Sequence, residues 1–266
     1  MDLQLNSKIA IITGGSRGIG KTIALELANE GAEVAIVARG KAALEACGAE
    51  IAGRVGRPIL AIAADTGDDA SVKAMVAEVL AKFGRIDILV NCAAQPAGQS
   101  KPPALAEVTA EALWADVNVK VMGYVRTARE VAGPMAAQGG GRIINISGLA
   151  ARSTGSIIGS IRNISVAALT KNLADELGPK GITAVCVHPG LTRTEKTPEV
   201  VARQAAAQGV EPAEIEKRMA ALNLVGKLIS AEEIAYLVAF LASPKSVAVN
   251  GDVIAAGGGT RGAIYY

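Results

Sequence analysis

Residues 13–20 read Thr-Gly-Gly-Ser-Arg-Gly-Ile-Gly, with glycines at 14, 15, 18 and 20. Glycine lacks a Cβ and tolerates positive φ, so such a backbone can turn sharply and admit a pyrophosphate at close range. Ile9, Ala10, Ile11 and Ile12 precede it without a polar break, as suits a strand buried on both faces. A helix is expected over 19–30, its free N–H groups and positive dipole end aimed at the phosphate. Glycines alone are a weak signal; the strand, turn, helix and second strand around them make dinucleotide binding the reading.

The type of dinucleotide follows from a second place. In such sites an acidic residue about 20 positions beyond the glycines usually binds the ribose 2′-hydroxyl. Here the end of the second expected strand holds Ala38 and then Arg39. Arg39 and Arg17 can hold a 2′-phosphate by charge-assisted hydrogen bonds, and Lys41 adds to the field. The sequence therefore predicts NADP(H) in preference to NAD(H).

These residues need a frame. Further strands are expected over 33–38, 59–63, 88–91, 142–147, 183–188 and 252–255. Helices are expected over 41–52, 69–83, 109–138, 160–177, 198–222 and 231–241. Asp69 is expected to cap the helix over 69–83, which places Val72, Met75, Val76, Val79 and Leu80 on one face. The alternation implies an α/β fold: a Rossmann-type doubly wound parallel sheet of about seven strands, helices on both faces and right-handed crossovers. Ligands in such sheets bind beyond the carboxyl ends of the strands. The loops after Ile12, Ala38, Ala64, Asn91, Ser147 and His188 should therefore assemble the site. Residues 1–266 form a single domain in this reading, since no linker or repeat divides them.

Composition narrows the classes. Half of the residues are hydrophobic, enough for a core with helices on both sides, and aromatics are only 3%, too few for nucleic-acid stacking platforms. The formal charge of +2 is interspersed, so no basic patch points to nucleic acid or membrane. Cys47, Cys92 and Cys186 are far apart and odd in number, which suggests reduced thiols in a cytoplasmic protein. With a single histidine and scattered cysteines, no metal-ligand cluster is visible.

The spacing G-x-x-x-G-x-G in Thr13 to Gly20 resembles the short-chain dehydrogenase/reductase family, and the resemblance covers nearly the whole chain. It implies that Gly14, Ser16, Arg17, Gly18, Ile19 and Gly20 cradle the phosphates. Asp65 resembles the family's adenine-binding aspartate, or is a turn residue. Asn91-Cys92-Ala93-Ala94 stands where the family has N-N-A-G, which implies Asn91 and Ala93 beside the adenosine ribose. Pro189, Gly190, Thr192 and Thr194 fall in the family's segment beside the nicotinamide. Asp116-Val117-Asn118-Val119-Lys120 is similar to its V-N-x-K segment, which implies Asn118 as the catalytic asparagine. The C-terminal segment Phe240 to Pro244, with Gly251, Gly257 and Gly258, resembles the strand and tail that join subunits, implying a homotetramer.

One part of the family pattern is missing. The family places a serine after the fifth strand, then Tyr-x-x-x-Lys, the tyrosine as general acid/base and the lysine lowering its pKa. Leu169-Thr170-Lys171-Asn172-Leu173-Ala174 resembles the L-T-K-x-L-A that follows, and counting back puts Gly159 in the tyrosine place and Asn163 in the lysine place. The serine is either Ser147, or Ser147 lies one residue early with Gly148 in its place. Tyrosines occur only at 124, 236, 265 and 266.

Three readings follow. The first is an NADP(H)-dependent oxidoreductase of a small carbonyl or alcohol compound, in which Asn118, Ser147, Arg162 and Asn163 polarise the carbonyl, with help from Arg152. The second is a non-redox reaction and the third a cofactor-binding scaffold, since fold does not fix function. His188 is either a substitute acid/base or a local hydrogen-bonding group. Residues 195–222 occupy the place of the family's substrate lid, as a mobile helical cover. The proline loop over 96–103 forms the opposite wall or a surface connection, and Tyr265 and Tyr266 are candidates for reaching a neighbouring subunit's site.

Overall fold

In the computed structural model, which describes residues 1–95 and 102–260, strand and helix alternate from Ile9 onward. The first half runs β1 (Ile9–Thr13), α1 (Gly18–Asn29), β2 (Glu33–Ala38), α2 (Lys41–Val55), β3 (Leu60–Ala63), α3 (Asp69–Phe83) and β4 (Ile88–Asn91). The second half begins with α4 (Ala110–Val117), α5 (Gly123–Ala137), β5 (Gly141–Ile146), α6 (Ile157–Leu177) and β6 (Ile182–Pro189). It ends with β7 (Thr192–Arg193), α7 (Thr197–Gln208), α8 (Pro212–Ala220), β8 (Ile229–Ser230), α9 (Ala231–Ala242) and β9 (Val253–Ala256). Seven strands form one parallel sheet in the order β3-β2-β1-β4-β5-β6-β9. The chain winds outward from β1 to β3, then returns to the other side of β1, so the crevice lies between β1 and β4.

Period-two alternation decides which residues meet which layer. Ala10, Ile12, Val34, Ile36, Val90 and Ile144 pack against Ile23 and Leu27 of α1 and Val238 of α9. Ile9, Ile11, Val37, Leu89 and Ile143 face the other way, against Val76 and Val79 of α3 and Val131 and Met135 of α5. The expected face of α3 is largely of this kind. Both sides of the sheet are therefore apolar, as the unbroken runs in β1 and β4 require.

The structure corrects several boundaries. Asp68, not Asp69, caps α3, its Oδ2 accepting the Ser71 N–H at 2.7 Å. Asp69 already lies inside the helix and pairs with Arg126 and Arg129. The helical stretch after Thr109 carries a π turn, Asn118–Met122, between α4 and α5. Helix α6 starts earlier than expected, where the Ser156 hydroxyl accepts the Gly159 N–H. The insertion is two helices, α7 and α8, separated at Gly209 with φ 63°. It encloses its own apolar cluster of Val201, Ala205, Ile215, Met219 and Leu228. A separate parallel pair, β7 with β8, was not foreseen. Residues 96–101 of the proline loop, and Tyr265 and Tyr266, lie outside the described residues. Among the described residues no helix is long and apolar enough to cross a membrane.

A buried polar chain crosses the sheet. Thr127 of α5 donates to Asn91 Oδ1 at 2.7 Å, Asn91 Nδ2 donates to Asn145 Oδ1 at 3.0 Å, and Asn145 Nδ2 donates to Thr170 of α6 at 2.9 Å. Truncation of Asn145 leaves the buried Asn91 Nδ2 without its acceptor and removes a donor from Thr170 Oγ1, which keeps its bond to the Val166 carbonyl at 2.8 Å. Asn145→Ala is expected to lower unfolding free energy by about 2–4 kcal/mol, read from urea denaturation with an unchanged m-value.

Candidate active site

The turn after β1 works by absence of side chains. A Cβ on Gly20 would stand 2.3 Å from the Gly14 carbonyl oxygen, and one on Gly14 would stand 2.9 Å from the Ala93 nitrogen. Gly14 and Gly18 adopt φ of 68° and 55°. Thr13 Oγ1 accepts the N–H groups of Cys92 and Ala93 at 3.1 and 3.2 Å, which ties the loops after β1 and β4 together. Cys47 closes the underside, its thiol donating to the Gly15 carbonyl.

An anion already sits where the sequence expects one. The Glu195 carboxylate accepts the Gly18 N–H, with its two oxygens at 3.0 and 3.2 Å. This is the first residue of α1, where the free N–H groups and the helix dipole favour negative charge. The carboxylate oxygens stand where phosphate oxygens would sit at this N–H.

A cleft of about 660 Å³ opens above the turn. It is lined by Gly14, Ser16, Arg17, Gly18, Ile19 and Gly20, then by Ala38 and Arg39 at the end of β2. Ala93 and Thr194 also line it. Five other expected contacts lie elsewhere. Asn91 is buried beneath the cleft in the polar chain, and Asp65 spends one oxygen on the Gly67 N–H at 2.8 Å in a tight turn. Their neighbours Cys92, Ala64 and Thr66 form the wall instead. Pro189 and Gly190 continue β6 towards Ala256 and Gly257, and the Thr192 hydroxyl donates to the Gly190 carbonyl.

The second half of the site lies at the carboxyl ends of β5 and β6. Ser147 is buried and its hydroxyl donates to the Asn163 carbonyl at 2.9 Å and to Asn163 Oδ1 at 3.2 Å. A Cβ on Gly148 would meet Asn163 Nδ2 at 3.3 Å, so Asn163 reaches the end of β5. A Cβ on Gly159 would stand 2.7 Å from Ser156 Oγ, so the helix cap occupies the space a larger residue would need. Arg162 points away, into the seam with α4, where Nη1 binds both oxygens of Asp116 at 2.7 and 2.8 Å. Asn118 is exposed, its amide donating to the Gly67 carbonyl and accepting from Arg126. Tyr124 is buried and donates to the Ile146 carbonyl at 2.8 Å.

Two participants escaped the sequence reading. Glu195 was treated as the start of a lid, with no contact implied. Lys120 was quoted only as part of a motif; it is buried, and its Nζ donates to the Ser147 carbonyl at 3.0 Å. The available signal was a lone lysine within the otherwise apolar stretch Val119 to Met122. Burial lowers its pKa to about 8, with the Arg162 charge adding to the effect. Burial drives Cys92 up to about 11 and Cys186 up to about 12, so both thiols stay protonated at neutral pH.

Comparison with known proteins agrees with this layout. The profile of a family described as short chain dehydrogenase matches residues 8–205. The short-chain reductase protein NovJ of Streptomyces niveus is 34% identical over 252 residues, covering 94% of this chain and 93% of that protein. The structure of L-sorbose reductase from Gluconobacter frateurii, complexed with NADPH and L-sorbose, superposes with a TM-score of 0.92. It is 29% identical, with 99% of this chain and 100% of that chain covered. A 7α-hydroxysteroid dehydrogenase complexed with NADH and 7-oxo glycochenodeoxycholic acid superposes at 0.84, with 28% identity and coverage of 97% and 96%.

His188 gives the site a measurable pH signature. Its Nδ1 accepts the Gly148 N–H at 3.4 Å, and burial, aided by the charges of Arg152 and Lys120, lowers its pKa from 6.5 to about 4. The unfolded chain therefore takes up a proton between pH 6.5 and 4 that the folded chain refuses. Stability is full above pH 6.5 and falls as pH drops to about 4, by up to about 3 kcal/mol from this group. Denaturant titrations across that range should show this slope, and His188→Asn should remove about one proton's worth of it.

Proposed function

The chain belongs to the short-chain dehydrogenase family, and on that premise we propose that it is an NADP(H)-dependent reductase of small carbonyl compounds with a rebuilt proton-handling half. The observation that carries the cofactor assignment is the Glu195 carboxylate on the N-terminus of α1, above a turn that no side chain could share. Gly14, Ser16, Gly18, Ile19 and Gly20 would hold the pyrophosphate, and Arg17 with Arg39 the 2′-phosphate. Both arginines are exposed at the rim of the cleft, and no carboxylate of the described residues pairs with them. Ala64, Asp65, Thr66, Asn91 and Ala93 would border the adenosine, with Asn91 acting from beneath. Pro189, Gly190, Thr192 and Thr194 would border the nicotinamide. When bound, the nicotinamide supplies or accepts a hydride.

The chain's own residues do the rest. Ser147 and Asn163 fix the end of β5, and Asn118 and Arg162 brace the helices around it, which positions a carbonyl near preorganised donors. Glu195 must leave Gly18 when a phosphate takes that N–H, because two anions cannot share one donor. That movement couples cofactor entry to residues 195–222, whose separate apolar cluster suits a cover that shifts as a body. Free, well-separated thiols fit a reducing cytoplasmic setting. Exposed Trp114 on α4 and Ile157, Ile161 and Ile164 on α6 offer an apolar face for self-association, in keeping with a homotetramer. Light scattering should then give about four times the 26.9 kDa chain mass.

NADPH should bind at least about tenfold more tightly than NADH, and Arg39→Ala should weaken NADPH about 10- to 100-fold while leaving NADH within about threefold. Fluorescence titration of both cofactors measures this, and equal binding of the two would refute the preference. The same preparation should oxidise NADPH in the presence of some member of a panel of small aldehydes and ketones. Tight NADPH binding without turnover on any of them would favour the cofactor-binding scaffold or the non-redox enzyme.

A further inference from the structure

We propose that Lys120, delivered by the π turn between α4 and α5, is the proton donor of this site. The inference rests on the reductase reading above and names the group that completes it.

Three observations lead there. Lys120 is only 4% exposed, yet no carboxylate of the described residues forms an ion pair with it. Asp116, whose charge is felt at Lys120, has both oxygens taken by Arg162. An unpaired ammonium in the interior is costly, and burial of this kind is how proteins make a lysine ready to give up a proton. Second, the ammonium lies at the carboxyl end of β5, 3.0 Å from the Ser147 carbonyl, and Ser147 is also bound to Asn163. Ser147 thus joins the cation, through its carbonyl, to Asn163, through its hydroxyl, at the carboxyl end of β5. Third, the extra residue of a π turn changes which side chain faces inward. Asn118 faces out to Arg126 and Gly67, and two residues later Lys120 faces in.

The step balances simply. Reduction of a carbonyl adds a hydride to carbon, which the nicotinamide supplies when bound, and a proton to oxygen. The Lys120 N–H bond breaks, the product O–H bond forms, and the neutral amine is reprotonated from water. In the reverse direction the amine takes the proton.

The surroundings make the titration assignable. Arg162 on α6 and Asp116 on α4 are bound to each other at 2.7 Å. Cys92 after β4 and Cys186 on β6 titrate at about 11 and about 12, and Tyr124 on α5 higher than its ordinary value. His188 on β6 titrates at about 4. A rate change near pH 8 in this cluster therefore belongs to Lys120, whose value is about 8.

The test compares the whole protein with Lys120→Met and Lys120→Arg. In the carbonyl-reduction assay, Lys120→Met should lose about 100-fold or more in kcat, with NADPH binding within about threefold and a cooperative melt retained. Lys120→Arg restores the charge and the bond to Ser147 but cannot release a proton at neutral pH. It should recover KM and stability while kcat stays low and the decline of the reduction rate above pH 8 disappears. A Lys120→Arg enzyme with wild-type kcat and an unaltered pH profile would overturn the proposal and leave Lys120 as an anchor. A wild-type protein that reduces nothing would instead overturn the reductase reading, and this proposal with it. Independently of turnover, competitive acetylation of the protein without NADPH, followed by mass spectrometry, should show Lys120 reacting with a midpoint near pH 8. An amine that never reacts is closed to small substrates as well, which refutes the proposal.

Discussion

The hydrogen-bond chain from Thr127 through Asn91 and Asn145 to Thr170 fixes most of what surrounds the site. Each link is buried, so each amide must be satisfied by a partner at the right distance. The chain spans α5, β4, β5 and α6, and it therefore sets how the two helices sit over the sheet. Those helices adjoin the two interior positions of interest: the π turn with Lys120 leads into α5, and Asn163 lies on α6. A slip of either helix by one residue would break a link and cost more than a surface rearrangement could return.

The two halves of the site are built on different physics. At the cofactor half, backbone does the work: Gly14 and Gly20 allow a turn in which Cβ atoms would overlap main chain, and the α1 terminus attracts an anion. At the proton half, side chains do the work in a dry interior, where a lysine, a histidine and two thiols all have pKa values displaced by burial. The displacement leaves only Lys120 near neutrality. Glu195 ties the segment leading into α7 to the turn after β1.

Much of the architecture was legible in the sequence because its causes are local. The run Ile9 to Ile12 could only be a strand buried on both faces, and the glycines at 14, 15, 18 and 20 could only serve a tight turn beside a helix. Arg39 at the end of β2, Ala93 and Thr194 all line the cleft. Asp65 in its own turn and Asn91 in the core share a cause: a polar side chain after a strand can turn to solvent, into its own turn or into the core. Sequence alone does not weigh those partners. The one-residue error at Asp69 has the same origin, because adjacent aspartates differ as caps only through the backbone angles of the helix start.

The sequence by itself determined the alternation of strand and helix and the glycine-rich turn, since hydrophobic period and glycine spacing act within a few residues of chain, while the order of the strands came from the tertiary structure. Only the tertiary structure decided that Asn118 faces outward, that Arg162 is spent on Asp116, and that Lys120 enters the interior against Ser147. The physical reason is the π turn: one extra residue rotates every later side chain around the helix, and whether a helix accommodates it that way depends on the packing of α4, α5 and α6 together.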